Sequence, residues 1–387
     1  MAEGAVLLLR PRAGVVKPAP VSASSYFSKA ELHRARAFGR PQLAIGLTAS
    51  LVELGVLAAL VRRPPSVPAG RPLVGAGAAG ASITTATTIV SLPLSAIARQ
   101  RAKNVGLVTQ SWGGWAVDKL KATAISAVLS GAGAAVGVGI MRRLPRTWWL
   151  AGAGGVVVVA AGLLFVGPVL LDPVFNTFEP LPDGPARADV LELARRAGIE
   201  VGEVYRVDAS RRTTAANAYV TGLGATKRVV LYDTLLEHFT RDEARVVVAH
   251  ELAHVRHRDV PHSLLFLAIV APPALLAVKR VTALLAPVGR RGPGAQTVPA
   301  LALAAGVVGA PIGVIANRLS RAVEVRADGY ALEATGVPRV FIDFQRRIAL
   351  RNLADPEPPA LLTALLGTHP STVHRIGIAR AFEERGS

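Results

Sequence analysis

Six long apolar segments limit what this sequence can fold into more than any other feature. A helix needs about 20 predominantly apolar residues to cross a lipid bilayer. The segments that meet or nearly meet this length are 43–61, 73–98, 122–141, 148–171, 263–278 and 297–316. Only 18% of all residues are charged, against roughly 25% in soluble domains. We therefore expect an α-helical multi-pass membrane protein with about six spans.

The net charge of +18 would by itself suggest a nucleic-acid partner. The Lys and Arg residues, however, flank the apolar segments instead of following one face, which is typical of loops beside a lipid surface. We therefore expect the lipid bilayer, and no nucleic acid, as the partner of these residues. The chain has no Cys, which excludes disulfides, thiolate metal ligands and cysteine nucleophiles.

The distribution of Lys and Arg among the short loops predicts the orientation. The segment 17–40 and the loop 99–121 carry more of them than the loops 62–71 and 142–146. This bias places the N-terminus in the cytoplasm, although the last loop, with Lys279, Arg280, Arg290 and Arg291, argues weakly the other way. The first apolar run is too short for a cleaved signal peptide, so the first span should act as the insertion signal. We expect a cell-membrane protein whose large water-facing parts lie in the cytoplasm.

Polar stretches divide the chain into five parts. These are a cytoplasmic N-terminal segment (1–42), a four-span region with the basic loop 99–121 (43–171), a water-facing part (172–262), a two-span region (263–316) and a second water-facing part (317–387). Apolar residues at helical spacing predict a helix at 186–198. Alternating patterns predict strands at 204–208, 217–221 and 228–233, with a hairpin loop at 222–227. We expect one split, mainly α-helical domain with a small β-sheet.

One predicted helix in the first water-facing part carries the motif His250-Glu-Leu-Ala-His254. A capping box at 240–243 predicts that the helix starts at Arg241, and Pro261 should end it. Two His residues four apart lie on one helix face and can bind one zinc ion, while Glu251 can act as the general base toward a water molecule. The alternative is a polar patch on an amphipathic helix, but the preceding run of Val and Ala predicts burial.

A third metal ligand has to come from elsewhere in the chain. A second helix is predicted at 320–328, directly after the sixth span, and Glu324 on it would complete a zincin-like site with two His and one Glu. Asp328, one turn later, would accept a hydrogen bond from a ligand imidazole. Spacing alone leaves a solvated face of Arg, Glu and Asp as the alternative. The prediction is one Zn²⁺ per chain.

These motifs together resemble the CAAX prenyl endopeptidase family of integral-membrane zinc metalloproteases. The resemblance rests on the HExxH motif, on the helix 320–328 and on Thr368-His369-Pro370, with further matches at 92–95, 175–182, 217–219 and 227–236. It runs from about residue 25 to the C-terminal region. The chain is also similar to a bacterial branch of the family, the heat-shock membrane zinc protease.

The resemblance implies roles for further residues. It makes Glu324 the third zinc ligand, and it suggests that Asn217, Ala218 and Tyr219 bind substrate as an added β-strand. His369 and Arg375 match family positions near the cleaved carbonyl, where a donor could stabilise the oxyanion. Simple strand-end capping for Asn217, and helix capping or a surface ion pair for His369 and Arg375, are the alternatives.

The sequence also departs from the family pattern in two places. Asp259 stands where prenyl endopeptidases tend to have His, which is more like the heat-shock branch; with Asp328 it is assigned to the shell around the ligands. Eukaryotic members resemble a cage of seven helices around a water-filled chamber, whereas six spans are counted here. An intramembrane carboxylate, Glu53, is by default a functional candidate, or it is hydrogen-bonded to Ser and Thr of the second span.

The leading functional hypothesis is an endopeptidase that hydrolyses peptide bonds of membrane-associated or lipidated proteins by metal-activated water. Within it, processing of lipidated C-terminal tails competes with quality-control proteolysis of membrane proteins without lipid specificity. The Ala-, Gly- and Arg-rich composition looks bacterial and favours a broader substrate range. A non-catalytic membrane scaffold or transporter is the third alternative. The sequence does not indicate the oligomeric state.

Overall fold

The computed structural model describes residues 1–64, 71–222, 227–286 and 292–386. In chain order, the helices are α1 (Ala2–Leu9), α2 (Lys29–Arg62), α3 (Pro72–Asn104), α4 (Trp112–Arg143), α5 (Trp148–Val166), α6 (Asp172–Phe175), α7 (Pro185–Arg196), α8 (Asp233–His238), α9 (Arg241–Arg256), α10 (Asp259–Leu285), α11 (Val298–Thr335), α12 (Pro338–Arg351), α13 (Ala360–Leu366) and α14 (Thr372–Gly386). The strands are β1 (Phe178–Pro180), β2 (Glu203–Val207), β3 (Ala218–Thr221) and β4 (Arg228–Tyr232). A π-helical segment, Gly167–Leu171, continues α5 into α6.

Six helical stretches among the described residues are long and apolar enough to cross a membrane. They are Lys29–Arg62, Pro72–Asn104, Trp112–Arg143, Trp148–Phe175, Asp259–Leu285 and Ala295–Thr335. The predicted multi-pass membrane fold with six spans is therefore confirmed. Several of these helices continue well beyond the apolar segments, because polar turns extend them at the water-facing ends. The motif at 92–95, one of the family matches, lies inside α3.

The membrane helices pack closely where small residues meet. A Cβ atom at Gly80 of α3 would lie 2.6 Å from the carbonyl oxygen of Ser130 in α4, so only glycine allows this approach. In α2, the carboxylate of Glu53 accepts a hydrogen bond of 2.8 Å from Ser91 of α3. This contact agrees with the second of the two interpretations of Glu53, a carboxylate held by a hydroxyl of the neighbouring span.

A small mixed sheet lies beside the helices of the water-facing domain. Its order is β1-β2-β4-β3, with β2 and β4 parallel and the other two pairs antiparallel. The predicted strands and hairpin are present, and residues 223–226 of the hairpin loop lie outside the described residues. β1 was not predicted, because three residues give too short a pattern. The position of β3 at the end of the order leaves it as an edge strand.

The connection between α9 and α10 differs from the sequence prediction. We expected Pro261 to end the first of these helices, but α9 ends at Arg256, and α10 begins at Asp259 with Pro261 in its first turn. Proline is tolerated there because the first turn has no intrahelical acceptor for its backbone nitrogen. Arg258 between the helices has φ 57°. This left-handed residue turns the chain from the water-facing domain into the fifth span.

The sixth span and the predicted second helix form one uninterrupted helix, α11, of 38 residues. Its first half is apolar and belongs to the membrane bundle, whereas buried residues of its last part contact the main core of the water-facing domain. The chain therefore leaves this domain through α10 and returns to it through α11. Both elements bring their water-facing ends to the motif helix α9.

The N-terminal segment is packed against the domain over much of its length. Ala5 and Val6 of α1 are buried against α10 and α11. Further on, the backbone nitrogen of Ala19 donates to the carbonyl of Gly377 in α14 at 2.9 Å. The long helix α2 starts at Lys29, so the first span is approached by 14 helical residues of the segment 1–42.

Candidate active site

Helix α9 begins at the capping box that the sequence predicted. The side chain of Thr240 accepts from the backbone nitrogen of Glu243 at 3.3 Å, and the Glu243 carboxylate accepts from the backbone nitrogen of Thr240 at 2.7 Å. Both bonds satisfy donors that a helix end leaves open. The run Val246–Ala249 that follows is buried in the main core. The motif residues after it are thus held on a fixed, buried helix.

Three side chains from α9 and α11 converge on one point. The rings of His250 and His254 lie with their centroids 5.0 Å apart. Glu324 of α11 faces both: its Oε2 is 3.2 Å from Nε2 of His250, and its Oε1 is 3.6 Å from Nε2 of His254. One ligand atom from each of the three lies within 4.8 Å of the others. Two imidazole nitrogens and one carboxylate oxygen are a donor set that suits a divalent metal.

The hydrogen bonding of Glu324 supports a metal-binding role for this cluster. Glu324 is buried, and its Oε2 lies 3.2 Å from Nε2 of His250 but has no hydrogen-bond partner among the described residues. A buried carboxylate oxygen without a partner is costly. A cation bound between this oxygen and the two imidazole Nε2 atoms would satisfy it. The residues present therefore fit a metal ion.

Each imidazole is oriented by a carboxylate on its other nitrogen. Nδ1 of His250 lies 2.9 Å from Oδ1 of Asp328, and Nδ1 of His254 lies 2.9 Å from Oδ2 of Asp259. Such contacts fix the tautomer and would direct Nε2 toward a bound metal ion. Asp259 is in turn bound by Arg326, a residue that the sequence analysis did not single out.

Burial and the neighbouring charged groups shift the pKa values of the site residues in opposite directions. Burial alone would lower the pKa of His250, but the nearby carboxylates of Asp328 and Glu324 outweigh it and raise that pKa to about 10. Burial raises the pKa of Glu251, and the nearby His250 and His254 only partly oppose this. A carboxylate with a raised pKa is better matched to proton transfer near neutral pH.

His369 and Arg375 reach the cluster from the C-terminal part of the chain. Nε2 of His369 lies 3.4 Å from Oε2 of Glu324, and the His369 side chain is 59% exposed. Arg375 is held differently: its Nε donates to Asp328 at 2.8 Å, and its Nη2 lies 3.5 Å from Nδ1 of His250. The exposed imidazole is thus open to a substrate, whereas the guanidinium is engaged behind His250.

The predicted substrate-binding residues form the end of the sheet. The carbonyl of Asn217 accepts from the backbone nitrogen of Tyr232 at 3.0 Å, and Ala218 is buried in the core. The Tyr219 hydroxyl lies 3.5 Å from the Asp172 carboxylate, and burial together with that charge raises the pKa of Tyr219. Strand β3 pairs only with β4 among the described residues, so its other edge is available for an extended peptide.

The fold and this cluster together define the class of protein. Two His residues on α9 and Glu324 on α11, the helix that continues the sixth span, lie close enough together to hold one metal ion, and six helices among the described residues could cross a membrane. The protein is therefore a membrane metalloprotease.

Comparison with known families agrees and gives the family. Residues 180–383 match Peptidase family M48, and residues 15–177 match the CAAX prenyl protease N-terminal region, described as five membrane helices. The chain belongs to peptidase family M48 and carries the membrane region of the CAAX prenyl proteases. Four of the six spans among the described residues lie within the second match.

Individual relatives support the same assignment. The metalloprotease YhfN of Bacillus subtilis is 32% identical over 298 residues, which cover 75% of this chain and 70% of YhfN. CAAX prenyl protease 1 of Saccharomyces cerevisiae is 30% identical over 188 residues, or 48% of this chain and 41% of the yeast protein. The crystal structure of S. mikatae Ste24p matches with a TM-score of 0.78 and 19% identity, covering 98% of this chain and 96% of that one. The last comparison confirms the fold.

Proposed function

We propose that this protein is a zinc-dependent endopeptidase that cleaves peptide bonds of membrane-associated or lipidated proteins. The observation that carries the proposal is the meeting of His250, His254 and Glu324 from two helices, with the half-buried Glu251 in the same turn of α9. These three residues would hold one Zn²⁺ per chain. When bound, the ion would supply Lewis-acid chemistry and lower the pKa of a water molecule.

Glu251 is proposed to move the proton. Its raised pKa lets it accept a proton from the attacking water and return it to the departing amine at neutral pH. Asp328 and Asp259 would hold the two imidazoles in the tautomer that presents Nε2. Because Arg375 is bonded to Asp328, a positioning role for Arg375 is favoured over direct contact with the oxyanion. The exposed His369 is the better candidate for that contact.

Substrate is proposed to bind along β3 at Asn217, Ala218 and Tyr219. An extended peptide could add to the open edge of this strand by main-chain hydrogen bonds, which do not depend on side-chain identity. Such a mode suits an enzyme with a broad substrate range. The active site would face the cytoplasmic side of the cell membrane, as the distribution of Lys and Arg favours.

The names of the relatives suggest one substrate class, because several are CAAX prenyl proteases. Processing of lipidated C-terminal tails is therefore one form of the proposal, and quality-control cleavage of membrane proteins without lipid specificity is the other. A prenylated reporter peptide tested beside the same peptide without the lipid separates them. A large difference in kcat/KM supports lipid recognition, and equal values support the broader activity.

The Glu251→Gln variant tests the mechanism. We expect it to retain zinc at one ion per chain and to lose turnover by about 10²–10⁴-fold, the typical contribution of a general base. Glu237→Gln, at an exposed position on α8, is the matched control and should remain active. If the Glu251→Gln variant turned over substrate as fast as the wild type, the general base would be another residue. Peptidase activity in a zinc-free His254→Ala protein would overturn the proposal.

A further inference from the structure

The short helix α1 lies against the two membrane helices that lead to the metal site. Ala5 and Val6 are only 2% and 4% exposed, and they pack with Phe266 and Val270 of α10 and with Leu319 of α11. Close packing of this kind fixes the position of a helix that is too short to be stable alone. Helix α1 is therefore held firmly against α10 and α11.

An ion pair and a backbone contact hold the segment on either side of this packing. Glu3 accepts hydrogen bonds of 2.7 Å from Nη1 of Arg318, the residue directly before Leu319 on α11. Beyond the helix, the carbonyl of Gly14 comes so close to Gly329 that a Cβ atom there would lie 2.8 Å from it. The N-terminal segment thus contacts α11 both before and after Glu324.

A cavity of about 400 Å³ lies between α1, α10 and α11 and ends at the metal site. Its apolar wall is formed by six residues, Leu9, Val260, Phe266, Ala316, Leu319 and Val323. Two of the three proposed metal ligands, His254 and Glu324, line the same cavity. Leu9, the last residue of α1, contributes its side chain to this wall, and it is the only one of the three Leu residues 7–9 that does so among the described lining residues.

Three polar residues of the same wall, Ser263, Asp259 and Asn317, are bonded to protein atoms. The Ser263 hydroxyl donates to the carbonyl of Asp259 at 2.9 Å, and the Asp259 carboxylate binds Nδ1 of His254. The Asn317 side chain donates to the carbonyl of Leu365 at 3.0 Å. An apolar group that enters the cavity therefore does not displace partners of these polar atoms, while it gains contact with the apolar wall.

We propose that this cavity binds a bulky apolar side chain of the substrate next to the cleaved bond, and that Leu9 sets how large that side chain can be. The inference rests on the proposed function, since it places a peptide at His254 and Glu324. A cavity of this volume is at the small end of ligand pockets, which suits one side chain. α1 precedes both regions that match the family descriptions, 15–177 and 180–383, so the wall at Leu9 is a feature of this chain beyond those matches.

Cleavage of an unfolded casein by the full-length protein in detergent tests the inference, with the fragments identified by mass spectrometry. Leu9→Ala enlarges the cavity and should shift the residues beside the cleaved bonds toward Phe, Tyr and Trp. Leu9→Phe fills the cavity and should shift them toward Ala and Val. For two peptides that differ only at that residue, the ratio of kcat/KM values should change at least about tenfold, as one or two methylenes do in apolar pockets.

Leu8→Ala is the matched control, because Leu8 is on the same helix and 65% exposed. It should leave the preference unchanged. A charge exchange, Glu3→Arg with Arg318→Glu, keeps the ion pair and should keep the preference, whereas Glu3→Arg alone should broaden it by loosening α1. The inference is overturned if the Leu9 variants change all peptides by the same factor, or if Leu8→Ala has the same effect.

A binding measurement separates this inference from the proposed function. The Glu251→Gln protein, titrated with the same peptides, should bind the preferred residue more tightly, and Leu9→Ala in that background should change the order of the affinities. An unchanged order would count against the cavity while leaving the peptidase intact. Failure of the wild-type protein to cleave casein and the peptides would instead count against the proposed function.

Discussion

Arg375 donates from its Nε to Oδ2 of Asp328 at 2.8 Å, and the other oxygen of the same carboxylate lies 2.9 Å from Nδ1 of His250. Asp328 is fully buried, so its charge depends on these two partners. A buried carboxylate that has a cationic partner stays ionised and can accept firmly from an imidazole. The pair therefore links the C-terminal helix α14 to a proposed metal ligand on α9.

Asp328→Asn should weaken zinc binding, because an amide orients the imidazole less strongly and leaves Arg375 without its counter-charge. Partners of this kind typically change metal affinity by about 10–100-fold. Competition with a chelator of known affinity gives the dissociation constant of the variant. Asp343→Asn, at an exposed position on α12, is the control and should bind zinc like the wild type. Equal affinities of the two variants would contradict the assigned role of Asp328.

The ionised carboxylate of Asp189 stabilises the catalytic domain, and this stabilisation is lost at acid pH. Hydrogen bonds from Arg241 on α9 lower its pKa against the effect of burial, and Arg245 contributes as well. A lowered pKa means that the stabilisation is complete above the ordinary value of about 3.9 and is lost as the pH falls through the folded value. Asp189→Asn should therefore destabilise the domain by about 1.5–3 kcal/mol at pH 7 and by progressively less below pH 4.

Thermal unfolding in detergent between pH 7 and pH 3 measures this difference. Asp183→Asn is the control, because the Asp183 side chain is fully exposed, and it should leave the unfolding temperature unchanged at every pH. A gap between the Asp189 variant and the wild type that stays constant down to pH 3 would show that the ionised carboxylate is not its source.

Gly329→Ala should destabilise the protein, since the new Cβ atom would meet the carbonyl of Gly14 at 2.8 Å. Overpacking of this kind typically costs about 1–3 kcal/mol. Gly309→Ala on the same helix is the control, because no heavy atom lies within 4 Å of its new Cβ, and alanine is the better helix former. The unfolding temperature should fall for the first variant and rise slightly or stay equal for the second. The reverse order would mean that the N-terminal segment is not packed on α11.

The absence of Cys from the natural sequence allows a direct test of the orientation. Single Cys residues can replace Arg339, whose side chain is 91% exposed on α12, and Arg143, which is exposed at the far end of α4. A membrane-impermeant maleimide should label position 143 in intact cells and position 339 only after the membrane is opened. The opposite pattern would place the catalytic domain outside the cytoplasm.

Local patterns predicted those features of the protein that are formed by residues close together in the sequence. The six apolar segments, the capping box at Thr240 and the face shared by His250 and His254 each involve residues within a few turns of one another. The end of α9 was misplaced, because a proline can also open a helix, and Pro261 lies in the first turn of α10. The pattern of the sequence does not distinguish these two uses.

Contacts between distant parts of the chain could not be predicted in the same way. Arg326 binds Asp259 across 67 positions of the chain, and Arg375 binds Asp328 across 47. An isolated Arg has many possible partners, so only the packing of α9, α11 and α14 selects these. The place of Leu9 beside the metal site was missed for the same reason, since eight residues of an apolar helix do not indicate the surface against which they pack.

The uninterrupted helix α11 fixes the distance between the sixth apolar segment and Glu324. Ala316 is the last residue of the sixth apolar segment, and it precedes Glu324 by eight positions on the same helix. This spacing corresponds to about 12 Å at the rise of 1.5 Å per residue. The length of this one helix thereby sets the level of the proposed metal site relative to the end of the apolar segment. Peptide bonds much closer to the lipid, or much farther from it, would have to move to that level before they could be cut.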